Sequence, residues 1–325
     1  MTSVAARDTA IDILKFLAVV LITWSHFDIP LGRYEALATG GAFGDTIFFF
    51  MSGCTLLLSG EKATFLNWYK RRINRIYPTV FAWALVTTFL CRAHHNIVEI
   101  LLSGGGYFVS CIMVFYILFY PIGRFVPSKS IWMVMLFYFF MWGGAFYLID
   151  RTEPRVIYNW SWSGYFLAML LGAVIGKQRK EGKCLWIFRG NRVLMLTGLL
   201  ISVIMYYALM RHERDMAFLA IINIIPLIGF TYFLYGLCCC SIPNHLLQKR
   251  WINWIVRFIG GLCLEVYIVQ PFIISDKLNC LFPLNLIIIF GGIFSAAYGL
   301  RVVGRIWSQT FRMEDYNWED ILKPF

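Results

Sequence analysis

Ten apolar stretches run through the 325-residue chain with short loops between them: residues 11–27, 41–60, 77–91, 105–123, 131–149, 163–176, 193–210, 216–240, 258–276 and 281–300. Each is read as a helix crossing a bilayer, since about 20 apolar residues span about 30 Å of hydrocarbon. The expected fold is therefore all-α: a polytopic membrane protein of about ten transmembrane helices, forming one integral membrane domain over residues 1–325 with no separate soluble domain. Only 14% of the residues are charged, against about 25% in a soluble domain, so soluble rules for core and surface do not apply. No small-residue cleavage site follows the first stretch, which is expected to remain as a helix rather than leave as a signal peptide.

The net charge of +11 raises the question of nucleic acid, but the basic residues fall in the loops between apolar runs. That placement is a topology signal. With the N-terminus in the cytoplasm, cytoplasmic segments hold 21 Lys and Arg and the opposite side 7, Lys15 within the first stretch completing the 29. The threefold bias predicts both termini in the cytoplasm, a multi-pass cell-membrane location and no nucleic-acid partner.

The first stretch, I-D-I-L-K-F-L-A-V-V-L-I-T-W-S-H-F, carries Asp12, Lys15 and His26. Ionisable side chains in hydrocarbon are costly, and within a span they are candidates for function. Asp12 and Lys15 are three apart, on one helical face, and can neutralise each other. Lys15 and His26 are eleven apart, three turns and about 16 Å along the axis. A cap at the outer interface explains His26 equally well, and snorkelling explains Lys15. Asp45, near the outer end of the second stretch, is placed to orient the imidazole or bind a polar acceptor. Lys70, Arg71, Arg72 and Arg75 form the densest basic cluster, followed by Pro78 where a new helix is expected to begin. Such a cluster fixes topology and meets anionic lipid headgroups, and guanidinium forks also match the phosphates of a cytosolic ligand.

Asp12, Lys15 and His26, then F-F-F-M-S-G at 48–53, then Y-K-R-R-I-N-R-I-Y-P at 69–78 together resemble the three successive N-terminal motifs of the membrane-bound acyltransferase 3 family. The resemblance implies a ten-helix enzyme moving an acyl group, commonly acetyl from acetyl-CoA, onto hydroxyls of cell-surface polysaccharides or lipid-linked sugars. By it, His26 falls on the catalytic histidine and Arg72 and Arg75 on the two-arginine motif, while Lys15 stands where many members have arginine. Gln270 occupies the place of a histidine that follows a tyrosine by three residues in a late motif of the family.

On this reading Arg72 and Arg75, helped by Arg71 and Lys70, hold the phosphates of acyl-CoA, the acyl arm enters along Lys15, and His26 is general base for the acceptor hydroxyl. Histidine suits that role because its pKa lies near neutrality. Direct transfer and a covalent acyl-enzyme both fit these residues. Glu265, inside the ninth stretch, needs a cationic partner, with Lys15 or an arginine as candidates. The outer loop 150–162 holds Glu153, Tyr158, Trp160 and Trp162, which suit either sugar stacking or an interfacial aromatic belt. Histidines 94 and 95 read as solvated. The nine cysteines show no metal spacing and read as packing residues, so no metal is expected. A secondary transporter shares the features of intramembrane charge and many helices, but no second copy of the His26 or Arg72 motifs follows residue 160.

Overall fold

The computed structural model describes residues 9–58, 63–104, 106–182, 191–212, 216, 218–240 and 247–325, and among them there is no strand. Each of the ten apolar stretches contains a helix, as expected where no water is at hand to satisfy backbone N–H and C=O groups. The helices are α1 (Thr9–Ser25), α2 (Asp28–Leu31), α3 (Gly41–Leu58), α4 (Phe65–Cys91), α5 (Ile97–Ser103), α6 (Gly106–Phe125), α7 (Ser128–Ala145), α8 (Pro154–Gly164), α9 (Phe166–Lys180) and α10 (Arg192–His212). They continue with α11 (Leu219–Ile222), α12 (Ile224–Cys238), α13 (Arg250–Gly261), α14 (Cys263–Ile273), α15 (Leu284–Thr310) and α16 (Trp318–Leu322). Among the described residues four helical runs are long and apolar enough to cross a membrane: α6, α10, α11 with α12, and α15. Two bent pairs raise the number to six if each is one span: α1 with Asp28–Leu37, bent by 62°, and α13 with α14, bent by 73°.

Two helices run past their expected ends. Pro78 does not open α4; it lies inside it, and the helix continues unbroken from Phe65, so the basic cluster belongs to the same rod as the apolar run. The last helix does not stop at residue 300 but reaches Thr310, which takes Arg301 and Arg305 out of the expected tail and into α15. The tail itself packs back: the Arg305 guanidinium donates to the carbonyls of Asp320 (2.9 Å), Ile321 (3.2 Å) and Lys323, satisfying the C-terminal end of α16. Tyr298 donates to the carbonyl of Leu322 at 2.7 Å.

The chain forms two compact units. The first comprises the described parts of Met1–Ala18, Ala42–Glu61 and Pro121–Arg257. Its centre is α9, buried at every position from Phe166 to Gly176, as an all-round apolar helix must be. Against it lies α3, so close that a Cβ on Gly53 would land on the carbonyl of Met169 and one on Gly172 on the carbonyl of Phe50. A Cβ on Gly176 would come within 2.6 Å of the Cys54 carbonyl. This is the small-residue approach that replaces hydrophobic association between helices in lipid. Trp142 of α7 and Trp160 of α8 stack at 4.4 Å, 3° from parallel, and each indole N–H donates to the other's carbonyl at 2.9 Å. Phe146 lies against Trp160 at 4.8 Å, and Trp162 packs on Phe49 and Tyr165. Trp160 and Trp162 are both buried, so an interfacial belt does not describe them.

The second unit comprises Val19–Gly41, the described part of Lys62–Tyr120, and Phe258–Phe325. Here α4 and α15 meet at Gly304, where a Cβ would come 3.3 Å from the Cα of Thr79. The glycine crossing in the first unit gives a direct test. Gly172→Ala should lower stability by about 1–3 kcal/mol, the usual cost of overpacking, read as a fall in melting temperature in detergent. Gly291→Ala, which meets nothing within 4 Å, should leave the melting temperature unchanged or raise it.

Candidate active site

His26 lies one residue beyond the end of α1, at the bend into α2. The bend is held from several directions. Phe27, fully buried, packs on Phe290 at 4.5 Å and Trp24 at 5.9 Å. Asn285, also fully buried, donates to the Pro30 carbonyl at 2.9 Å, Asn279 donates to Ile29 at 2.9 Å, and the Trp24 indole donates to Leu37 at 2.8 Å. Neighbours on both sides are thus fixed while the imidazole stays exposed. It lines an open cavity of about 480 Å³ in the second unit.

The cavity wall brings together residues far apart in sequence: Trp83 and Thr87 of α4, His95 and Glu99 from the segment that follows, and Tyr267 and Gln270 of α14. His95 arrives there because α4 ends with Arg92 in the left-handed region, φ 52°, which turns the chain back on itself. Its Nε2 lies 2.8 Å from the Thr87 hydroxyl. That hydroxyl is also within 3.0 and 3.1 Å of the Trp83 and Ala84 carbonyls. Whether Thr87 or Nε2 donates in that contact depends on the His95 tautomer. Asn96 and Glu99 form a reciprocal capping box at the start of α5. Gln270 is 1% exposed, and its Oε1 has no hydrogen-bond partner among the described residues. The Tyr267 hydroxyl accepts from the Phe108 N–H at 3.2 Å. Its ring also borders a void of about 10 Å³ reached by Val19 and Ile22 of α1.

The basic cluster sits at the opposite end of α4. Lys70, Arg71 and Arg75 are exposed, and Arg72 is half-buried with its guanidinium 5.1 Å from the centre of the Trp68 ring. Trp68 is itself buried against Tyr116 at 5.7 Å and Tyr120 at 5.4 Å. Because α4 is continuous, geometry relates the two ends. Arg75 to Trp83 is about 12 Å along the axis and Arg72 to Thr87 about 22 Å, at 1.5 Å per residue. Arg72, Thr79 and Trp83 lie within about 20° of one line along the helix.

Glu265 has an arginine partner. Arg301 of α15 donates through Nε at 3.1 Å and NH2 at 2.9 Å to its two carboxylate oxygens, and the side chains are 11% and 8% exposed, Arg301 first. The same guanidinium bonds the carbonyls of Gly261 and Pro324. The pair joins α14, and with it Tyr267 and Gln270, to α15. The remaining expected residues lie in the first unit. Asp12 is buried and Lys15 half-exposed on one face of α1. Asp45 is half-buried in the first turns of α3 and makes no hydrogen bond or ion pair with a described residue. Thr87, His95, Glu99 and Gln270 were not expected beside His26. Among the described residues no three His, Cys, Asp or Glu side chains gather as a metal site.

A family profile described as "Acyltransferase domain" matches residues 8–303. The chain belongs to the acyltransferase 3 family. The match takes in α1, the His26 cavity, the basic cluster and the Glu265–Arg301 pair, and so covers both units of this acyltransferase. Its work is acyl transfer at a membrane, between an acyl donor and an acceptor. No curated protein and no solved structure matches the chain. Within the acyltransferase the ion pair is structural. Glu265→Leu strands Arg301 and should cost about 3–5 kcal/mol, as breaking a buried pair does, measured by thermal denaturation in detergent. Adding Arg301→Met should recover part of that loss, because the unpaired charge is then gone.

Proposed function

We propose that this acyltransferase moves an acetyl group from cytosolic acetyl-CoA to a hydroxyl of a cell-surface or lipid-linked carbohydrate. It does so in a ten-span fold with both termini in the cytoplasm of a bacterial cell. The observation that carries this reading is α4, one unbroken helix with the basic cluster at one end and a wall of the His26 cavity at the other.

In this scheme Arg71, Arg72, Arg75 and Lys70 hold the CoA phosphates, guanidinium forks matching phosphate oxygens. Lys15 of α1, eleven residues before His26, adds a further cation for the acyl donor. His26 removes the acceptor hydroxyl proton as the oxygen attacks the thioester carbonyl carbon. The carbon–sulfur bond breaks, and the imidazolium returns the proton to the departing CoA thiolate. Gln270 lines the same cavity and contributes to its polar wall. Asp45 serves acceptor binding in this scheme.

The test uses full-length protein in nanodiscs with labelled acetyl-CoA and candidate glycan acceptors, following acceptor-dependent CoA release. His26→Ala should lower kcat by about 10²–10⁴, the range for losing a general base, with acetyl-CoA binding retained. Unchanged turnover removes His26 from the mechanism. Arg75→Gln should raise the KM for acetyl-CoA by roughly 10–100-fold, the equivalent of one charge-assisted hydrogen bond, and Asp45→Asn should raise only the KM for the acceptor.

A further inference from the structure

The first unit holds a cavity of about 810 Å³, bounded by α7, α8, α10 and the junction of α11 with α12. Its volume falls within the range of small-molecule sites, about 300–1,000 Å³. The lining is sorted by polarity. Apart from Asn223, whose side-chain oxygen is itself shut away, the buried wall is Trp142, Phe146, Trp160, Ile224 and Leu227. The two indole N–H groups in that wall donate to each other's backbone carbonyls, so neither is free for a ligand. Asp150, Arg151 and Thr152, from the loop between α7 and α8, and Ser161 of α8 line the cavity too, and all four are exposed. A polar molecule seated on the buried wall would lose its hydration without replacement. The wall therefore suits hydrocarbon, and the exposed edge suits a headgroup.

The charges at the edge select the headgroup. The Arg151 guanidinium stands 5.3 Å over the Phe146 ring and has no hydrogen bond or ion pair with a described residue. Asp150 accepts from Thr152 twice, from its hydroxyl at 2.6 Å and its N–H at 2.9 Å, and both bonds end on Oδ1. They hold the carboxyl below its usual range, so it is ionised at neutral pH. Its Oδ2 has no partner among the described residues, and the two neighbouring charges are not paired with each other. An anionic headgroup meets Asp150, a cationic amphiphile meets Arg151, and a neutral one pairs neither. A zwitterion answers both, because a phosphate diester matches the guanidinium fork and an ammonium reaches the carboxylate. Oδ2 discriminates further: a carboxylate only accepts, and a primary ammonium has N–H to give where a trimethylammonium has none.

We propose that this cavity binds a phospholipid of the ethanolamine type, its phosphate on Arg151, its primary ammonium on Asp150, and the upper part of its chains against Trp142, Phe146 and Leu227. The lipid is held, not acylated, so the site stands apart from the transfer scheme above. The test is native mass spectrometry of the full-length protein released from detergent. The probes are dioleoyl phosphatidylethanolamine, phosphatidylcholine and phosphatidylglycerol in equal amounts, with glycerophosphoethanolamine as the headgroup without chains.

Phosphatidylethanolamine should be retained about tenfold over either other lipid, the equivalent of one charge-assisted hydrogen bond. Arg151→Gln should lower its retention by about the same factor, and Asp150→Asn should make phosphatidylethanolamine and phosphatidylcholine equal. Asparagine keeps an oxygen for Thr152, so the loop is preserved, which an unchanged melting temperature without added lipid verifies. Arg155→Gln removes an exposed cation of α8 that lies outside the lining, and it should leave the preference as it is. Retention indifferent to headgroup overturns the proposal, as does phosphatidylglycerol held best or a preference that survives both Arg151→Gln and Asp150→Asn. Glycerophosphoethanolamine competing as well as the intact lipid also overturns it, because the apolar wall would then contribute nothing.

Discussion

The bond between Glu265 and Arg301 is the contact on which the second unit turns. In apolar surroundings a lone carboxylate is expensive, and so is a helix that ends with its carbonyls unmet. The chain has both problems within five residues, because α13 stops at Gly261 and α14 begins at Cys263 with Glu265 in its first turn. One guanidinium answers both, pairing with Glu265 and bonding the Gly261 carbonyl. The sharp bend between α13 and α14 is thereby held, and α14 presents Tyr267 and Gln270 to the His26 cavity. The cavity therefore owes its shape to an ion pair that takes no part in the proposed chemistry.

Polar side chains elsewhere divide by what satisfies them. Those of Asn279 and the Trp142–Trp160 pair bond backbone carbonyls and fix a turn or a helix contact. Among the described residues the buried Gln270 Oε1 and Asn223 Oδ1 have no hydrogen-bond partner.

Hydropathy was enough to place a helix within each of the ten apolar stretches, because a run of apolar residues in lipid has few alternatives to helix, but α5, α8, α13 and α16 lie wholly or largely outside those stretches. It could not place helix ends. Pro78 reads locally as a start, yet the preceding turn carries on through it. The end of α15 lies beyond residue 300 because Arg301 finds Glu265, a partner 36 residues away that no local pattern reveals. His26 and the basic cluster were legible as charges in or beside apolar runs, and the family motifs sharpened them. His95 was not, because its return to Thr87 depends on one left-handed residue, Arg92. A signal was present all the same: Asn96 and Glu99 have capping-box spacing, which announces a helix start just after the histidine. The setting of Trp160 and Trp162 was not legible, because composition cannot separate an aromatic that faces lipid from one that packs on other rings, Trp142 and Phe146 for the first and Phe49 and Tyr165 for the second.

The bare crossing of α3 and α9 has a consequence for how the molecule is made. Gly53 and Gly172 lie about 120 residues apart, so at a synthesis rate of about 5–20 residues per second α3 waits on the order of ten seconds for its partner to leave the ribosome. Throughout that interval its backbone at Phe50, Gly53 and Cys54 is open to any other helix able to come as near. Assembly of the first unit is thus a matter of timing as much as of fit, and the insertion machinery or surrounding lipid must keep that face of α3 unoccupied until α9 arrives.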